Sequence, residues 1–280
     1  MTVRTEAAVE LAAHWGAAVA PGEVFVEHQD RAVMRCLDPV GRPVVVKADR
    51  DGGRLRREVQ ALSAARAAGV PVPAVHEWID GPPAMVVLDH VEGRPLASTS
   101  PDGHWRAVAR ELRRLHDDAP ADGWPWFGGG EGWWSQLRWL ADWAGQWCRE
   151  RGMLAPAVLD RIRRRVDAGL ARDDELDGRL VHGDCGPYHW LLRDDTVVAV
   201  VDFGDTGRGD PVWDLAVLTL WDRDRLPAVL DGYGADGALR ARVEALLRPY
   251  VLVRHLLAIP WMVEHDTDPT PTIDELDRLH

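Results

Sequence analysis

The sequence predicts an α+β protein of two lobes, a small one built on an antiparallel sheet and a larger one that is mostly helical. Three observations lead there. β-rich runs separated by turn signals crowd the first 90 residues, helical spacings of three and four dominate from Pro101 onward, and one β-rich island at residues 179–202 interrupts the helices. The two units expected are residues 1–90 and 91–280, joined through a Gly-, Pro- and Ser/Thr-containing connector at residues 90–101, where a cleft should lie.

Each element has its own signal. The opening segment MTVRTEAAVELAAHWGAAVA mixes acids into an apolar face and lacks a basic start with an unbroken apolar stretch, so it reads as an amphipathic helix and not as a signal peptide. EVFVEH and RAVMRCL are β-rich runs about a polar turn at Gln29 and Asp30, and PVVVKA follows the turn DPVGR, which predicts a three-stranded antiparallel meander. Across residues 54–68, Leu55, Val59, Leu62 and Ala65 fall at helical spacing and Gly69 ends the run. Strands are expected near residues 74–79 and 84–88. Helices are expected near residues 101–117, 132–151 and 156–172, and from Pro211 to the end, where Asp210 and Pro211 have the chemistry of an N-cap and a first helical residue.

Composition narrows the function. With 46% hydrophobic and 28% charged residues the chain is ordinary for a globular protein, and no apolar run approaches the roughly 20 residues of a membrane span. Neither a spanning segment nor a membrane partner is expected. Cys36, Cys148 and Cys185 are odd in number, far apart and without ligand spacing, which argues against a disulfide framework or zinc site and fits a reducing cytoplasm. A net charge of −12 disfavours nucleic acid, which needs clustered Lys and Arg for counterion release. It suits a cationic ligand, although acidity that serves only solubility gives the same number.

The sharpest chemical signal is LVHGDCGPYHWLL followed by VVAVVDFGDTGRGDPVWDLA. These segments resemble the catalytic and metal-binding loops of the aminoglycoside phosphotransferase family, relatives of the protein kinases. The family pattern is His-x-Asp, four residues and Asn, then an Asp before Phe-Gly or a similar pair; the matching positions are His182, Asp184, His189 and Asp202. The resemblance implies a bilobal protein-kinase-like fold with a nucleotide-binding N-terminal lobe, and an ATP-dependent (or GTP-dependent) phosphotransferase with an alcohol as acceptor. Such chemistry needs a carboxylate to accept the hydroxyl proton and Mg2+ to neutralise the triphosphate. Asp184 suits the first task and Asp202 the second, while for an isolated Asp beside Gly a turn cap is the default role.

His189 departs from the pattern, since imidazole is a poorer ligand than an amide oxygen for a hard cation. Two roles stay open: contact with the metal or a phosphate oxygen, as in the macrolide kinase branch, or a neutral histidine bonding the loop. His182 is expected to orient the loop. Lys47 ends PVVVK and Glu58 lies on the next helix; the resemblance implies a lysine on the α- and β-phosphates held by that glutamate. A buried ammonium does need a partner, yet spacing alone also permits a solvent-facing Lys47. Residues 28–31 contain no glycine, so no Gly-rich phosphate cradle exists there. AMVVLDHVEGRPL resembles the family hinge, which implies adenine contacts from backbone groups near Asp89 and Val91. Asp205 faces the cleft or serves a turn.

For the acceptor, the Trp-rich segment at residues 124–147 suits core packing or an acceptor wall. Glu264, Asp266, Asp268, Asp274, Glu275 and Asp277 gather near the end with almost no basic compensation, as a receptor for amines or a solvated acidic tail. The resemblance thus implies a monomeric antibiotic kinase that phosphorylates an aminoglycoside or a capreomycin- or viomycin-type cyclic peptide and confers resistance. Kinases of macrolides, choline, homoserine and sugars share its motifs. Two other classes stand beside these: a phosphoester hydrolase with a metal on His182, Asp184, His189 and Asp202, and a catalytically dead nucleotide-binding module.

Overall fold

The structure is a computed structural model that describes residues 2–19, 22–170 and 176–279. Its contacts divide the chain into two compact units, Met1–Ala97 with Tyr188–Thr206, and Ser98–Pro187 with Gly207–His280.

The first unit opens with α1 (Val3–Trp15), capped where the Thr2 hydroxyl accepts the Thr5 N–H and ended by Gly16 in the left-handed region. The expected meander follows as β1 (Val24–Glu27), β2 (Arg31–Leu37) and β3 (Pro43–Asp49). Next come α2 (Gly52–Ala67), β4 (Val75–Ile79) and β5 (Ala84–Asp89), and the five strands form one antiparallel sheet in the order β1-β2-β3-β5-β4. α2 starts two residues before the expected residue 54 because the Asp51 carboxylate accepts the Gly53 N–H at 3.1 Å.

Strand alternation gives this sheet two different faces. Ala32, Met34 and Cys36 of β2, Val44, Val46 and Ala48 of β3, and Met85 and Val87 of β5 form a buried cluster with Val3, Ala7 and Leu11 of α1. The intervening residues must point the other way. Register sets Arg31 opposite Asp49, Val33 opposite Lys47 and Lys47 opposite Val86, so Arg31 and Lys47 share the face that α1 does not cover.

Part of the connector is itself a strand. β6 (Arg94–Pro95) pairs with β8 (Trp190–Arg193), which forms a hairpin with β9 (Thr196–Val200). The Leu96 N–H donates to the Trp190 carbonyl at 2.9 Å and the Val200 N–H to the Pro71 carbonyl at 2.8 Å. These bonds carry the first unit to Ala97, past the boundary expected after residue 90, and recruit the hairpin into it.

The second unit contains α3 (Asp102–Asp118), α4 (Trp133–Glu150), α5 (Pro156–Leu170), β7 (Arg179–Val181), β10 (Gly207–Gly209), α6 (Pro211–Leu218), α7 (Leu226–Tyr233), α8 (Gly237–Glu264) and α9 (Thr270–Leu279). β7 pairs with β10, so the island at residues 179–202 is split between two sheets and no single hairpin holds both predicted catalytic loops. Residues 171 and 172, the end of the helix expected at 156–172, lie outside the described residues. Trp133, Trp213 and Tyr250 meet edge to face, and the Trp133 indole donates to the Tyr250 hydroxyl at 2.8 Å, a core role for the Trp-rich segment, although Trp139 and Trp143 stay exposed. Among the described residues α8 is the one helix apolar and long enough to cross a membrane; it packs instead against α4, α5 and α6, with Val243, Leu246 and Val251 buried.

Candidate active site

In the first unit the polar face of the sheet converges on one carboxylate. Lys47 Nζ donates to Glu58 Oε1 at 2.6 Å and to Asp202 Oδ1 at 3.0 Å, with Lys47 and Glu58 both buried. The ammonium is therefore paired, and the solvent-facing alternative for Lys47 is excluded. Burial works to lower its pKa, but Asp202 and Glu58 outweigh that and raise it. Asp202 shows the mirror image: burial pushes its carboxyl up, while Lys47, His189 and Arg31 together hold it well below the usual carboxylate range.

Local backbone places that carboxylate. The Val201 N–H donates to the His189 carbonyl at 3.0 Å, extending the β8-β9 ladder by one step and bringing His189 Nε2 to 3.6 Å from Asp202 Oδ2. Asp202 then takes a left-handed conformation (φ 67°), unusual for a residue with a Cβ, and residues 203–205 close a 3-10 turn against α2. Arg57 donates to the Gly204 carbonyl at 3.4 Å, and Arg54 lies 3.4 Å from Asp205, contacts that tie this turn to α2.

Asp184 lies in the second unit, on a loop pinned from below by Asp214 of α6. The fully buried Asp214 carboxylate accepts the His182 N–H at 2.7 Å and the Gly183 N–H at 3.0 Å, and it meets His116 Nε2 at 2.9 Å. His116 Nδ1 lies 2.7 Å from the Tyr233 hydroxyl. With Asp214 as acceptor, Nε2 carries the ring proton and Nδ1 accepts from the Tyr233 O–H, whose pKa burial raises well above its ordinary value. Gly183, at φ 85°, supplies the turn before Asp184, and its carbonyl accepts the Trp213 indole N–H at 2.9 Å. His182 thus enters the loop's anchoring through its backbone N–H.

The Asp184 carboxylate itself meets Arg254 of α8, with Nη2 to Oδ1 at 2.5 Å. Asp210 caps α6 as expected, accepting the Val212 N–H at 3.0 Å, and also binds Arg242 at 2.6 Å and the Tyr250 hydroxyl at 2.8 Å.

The Asp89 N–H donates to the Ala74 carbonyl at 2.9 Å, and its carboxylate takes the Ala74 N–H and His76 Nε2. Those bonds occupy the Asp89 N–H and carboxylate; Val91 follows two residues past the strand end, half-buried. Of the acids near the C-terminus, Glu275 lies 3.6 Å from Arg223 and 3.0 Å from Arg278, and Asp268 accepts the Thr270 N–H at the start of α9.

Arg31, His116, Asp214 and Arg254 were not singled out from the sequence. For Asp214 and Arg254 a signal existed, a lone charge inside VWDLAVL and VLVRHLL, where an unpaired charge on a buried face is costly. Among the described residues no three His, Cys, Asp or Glu side chains form a ready metal cage. Magnesium is commonly held by one or two carboxylates together with substrate phosphates, and Asp202, 21% exposed with His189 beside it, fits that use.

A carboxylate ringed by Lys47, Arg31 and His189, on a protein-kinase-like fold that also carries a buttressed His-Gly-Asp loop, defines a phosphotransferase of the kinase type. Residues 23–249 match the phosphotransferase enzyme family (APH), and the chain belongs to it. Several solved structures share the fold. A thermostable mutant of aminoglycoside phosphotransferase APH(4)-Ia, in ternary complex with AMP-PNP and hygromycin B, superposes with a TM-score of 0.73 at 18% identity, over 98% of each chain. Aminoglycoside phosphotransferase APH(3'')-Id from Streptomyces rimosus gives 0.65 at 23% identity, over 92% of this chain and 99% of that one. A choline/ethanolamine kinase family protein from Mesorhizobium loti gives 0.70 at 20% identity, over 98% and 92%. A probable bifunctional tRNA threonylcarbamoyladenosine biosynthesis protein of Halobacterium salinarum is 38% identical over 80 residues, 27% of this chain and only 15% of its own length.

Proposed function

We propose that this protein transfers the γ-phosphoryl group of ATP or GTP to a hydroxyl of a cationic small molecule. The observation that carries the reading is Lys47 held between Glu58 and Asp202 at 2.6 and 3.0 Å. One acid would pair a buried ammonium; the second marks a place where a cation and an anion can be exchanged for phosphate oxygens and a metal. In this reading Lys47 contacts the α- and β-phosphates, Glu58 fixes Lys47, and Asp202 with His189 holds Mg2+, which supplies charge neutralisation on the triphosphate. Asp184 accepts the acceptor's hydroxyl proton, and backbone groups at Asp89 and Val91 face adenine.

The net charge of −12 supports a cationic acceptor, as do relatives captured with hygromycin B and with kanamycin. We favour an aminoglycoside or a capreomycin- or viomycin-type peptide, with antibiotic resistance as the outcome. The likeness to a choline/ethanolamine kinase family protein favours a second reading, a metabolite kinase acting on a small ammonium alcohol. Three buried thiols fit a reducing cytoplasm, and a monomer without membrane or nucleic-acid partners completes the proposal. The test is incubation with magnesium, ATP or GTP, and a panel of aminoglycosides, viomycin, capreomycin and choline, read by mass spectrometry. A phosphorylated antibiotic or choline decides between the two acceptors, and an absence of added phosphate on every compound, or turnover without nucleotide, refutes the reading.

A further inference from the structure

The turn between β1 and β2 has no glycine, so it lacks the freely shaped run of backbone N–H groups that cradles phosphate oxygens in Gly-rich loops. The residue that ends this turn and begins β2 is Arg31. Strand parity puts its side chain on the same face as Lys47, because Val33, two residues on, is the direct partner of Lys47. Both cations reach the same carboxylate, Arg31 Nη2 at 3.6 Å from Asp202 Oδ2 and Lys47 Nζ at 3.0 Å from Oδ1.

The two contacts differ in kind. The Lys47 side chain is only 9% exposed and is fixed by Glu58, whereas Arg31 is 22% exposed and its distance exceeds the 2.7–2.9 Å typical of a charge-assisted hydrogen bond. Arg31 is thus a cation aimed into the site and loosely held. It can turn to a new anion without leaving Asp202 unpaired, since Lys47 stays. A guanidinium fork also matches two phosphate oxygens better than an ammonium does.

We propose that Arg31 is the phosphate clamp of this site, binding non-bridging oxygens of the β- and γ-phosphates through its side chain beside a loop that has no glycine. This rests on the reading that the polar face of the sheet binds a nucleotide. The test compares full-length protein with Arg31→Ala and Arg31→Gln, by competition of ATP, ADP and AMP, each with magnesium, against a fluorescent ADP analogue. Affinity for ATP falls by about tenfold to a hundredfold in both variants, the scale of hydrogen bonds to charged groups, while affinity for AMP, which has no β- or γ-phosphate, changes by less than about twofold. Equal losses for ATP and AMP, or an unchanged ATP affinity in a variant whose melting temperature matches wild type, overturn the assignment of Arg31 alone. A wild-type protein that binds none of the three nucleotides overturns the nucleotide reading and this inference with it.

Discussion

His255 sits in α8 with no solvent exposure, its ring edge-on to Trp221 at 4.8 Å, and neither ring nitrogen has a hydrogen-bond partner among the described residues. Burial first, then the nearby Arg223 and Arg254 guanidinium groups, lowers its pKa from the ordinary 6.5 to about 3. The unfolded chain binds a proton near 6.5 and the folded chain only near 3, so between those values the unfolded state holds more protons and stability falls as pH falls. At pH 4, about 2.5 pH units below the unfolded value, this one residue costs about 3 kcal/mol relative to neutral pH. That is a large part of the roughly 5–15 kcal/mol by which domains are stable. His255→Leu removes the titrating group and keeps an apolar side chain in the site. Urea unfolding of both proteins at pH 7 and pH 4 reads the difference, and carboxylates common to the two cancel. Wild type should lose about 3 kcal/mol more than the variant over this interval; pH profiles that run parallel to within about 0.5 kcal/mol refute the reasoning.

Asp214→Asn puts an amide where three donors converge, and should destabilise the protein by about 3–5 kcal/mol; a loss below about 1 kcal/mol in denaturant unfolding counts against the buttressing role. Asp184→Asn should lower phosphoryl transfer by about two to four orders of magnitude while nucleotide affinity holds, and binding that falls in step with turnover would remove the base from the mechanism. Cys36 and Cys148, both buried and pushed up to about 11, and the more deeply buried Cys185, should ignore a thiol reagent in the native protein and all react in denaturant. A thiol titrated rapidly under native conditions contradicts that burial.

The sequence carried the site where its chemistry is local. The apolar run PVVVK and the helical spacing after it put Lys47 at a strand end and Glu58 on the next helix, their pairing came from the resemblance to the family, and the pattern of His182, Asp184, His189 and Asp202 marked the two loops. The partition of residues 179–202 was not legible, because the partner of β7 is the tripeptide Gly-Arg-Gly, which has no β preference, and β6 is only Arg-Pro. Arg254 and Asp214 lie 70 and 30 residues beyond Asp184, and nothing local couples them to it. The commitment of the Asp89 N–H to Ala74 is a backbone event, and backbone bonds leave no mark on residue type.

The packing of α1 has a practical corollary. Its Val3, Ala7 and Leu11 shield Met34, Val46, Met85 and Val87, side chains with 0–2% exposure on a sheet whose other face carries Arg31 and Lys47. Deleting residues 1–15 would bare a flat apolar strip beside β1 at the edge of that sheet, the kind of surface that recruits a second chain. The shortened protein should self-associate on size-exclusion chromatography and bind a hydrophobic dye, even though Arg31, Lys47, Glu58 and Asp202 are all still present.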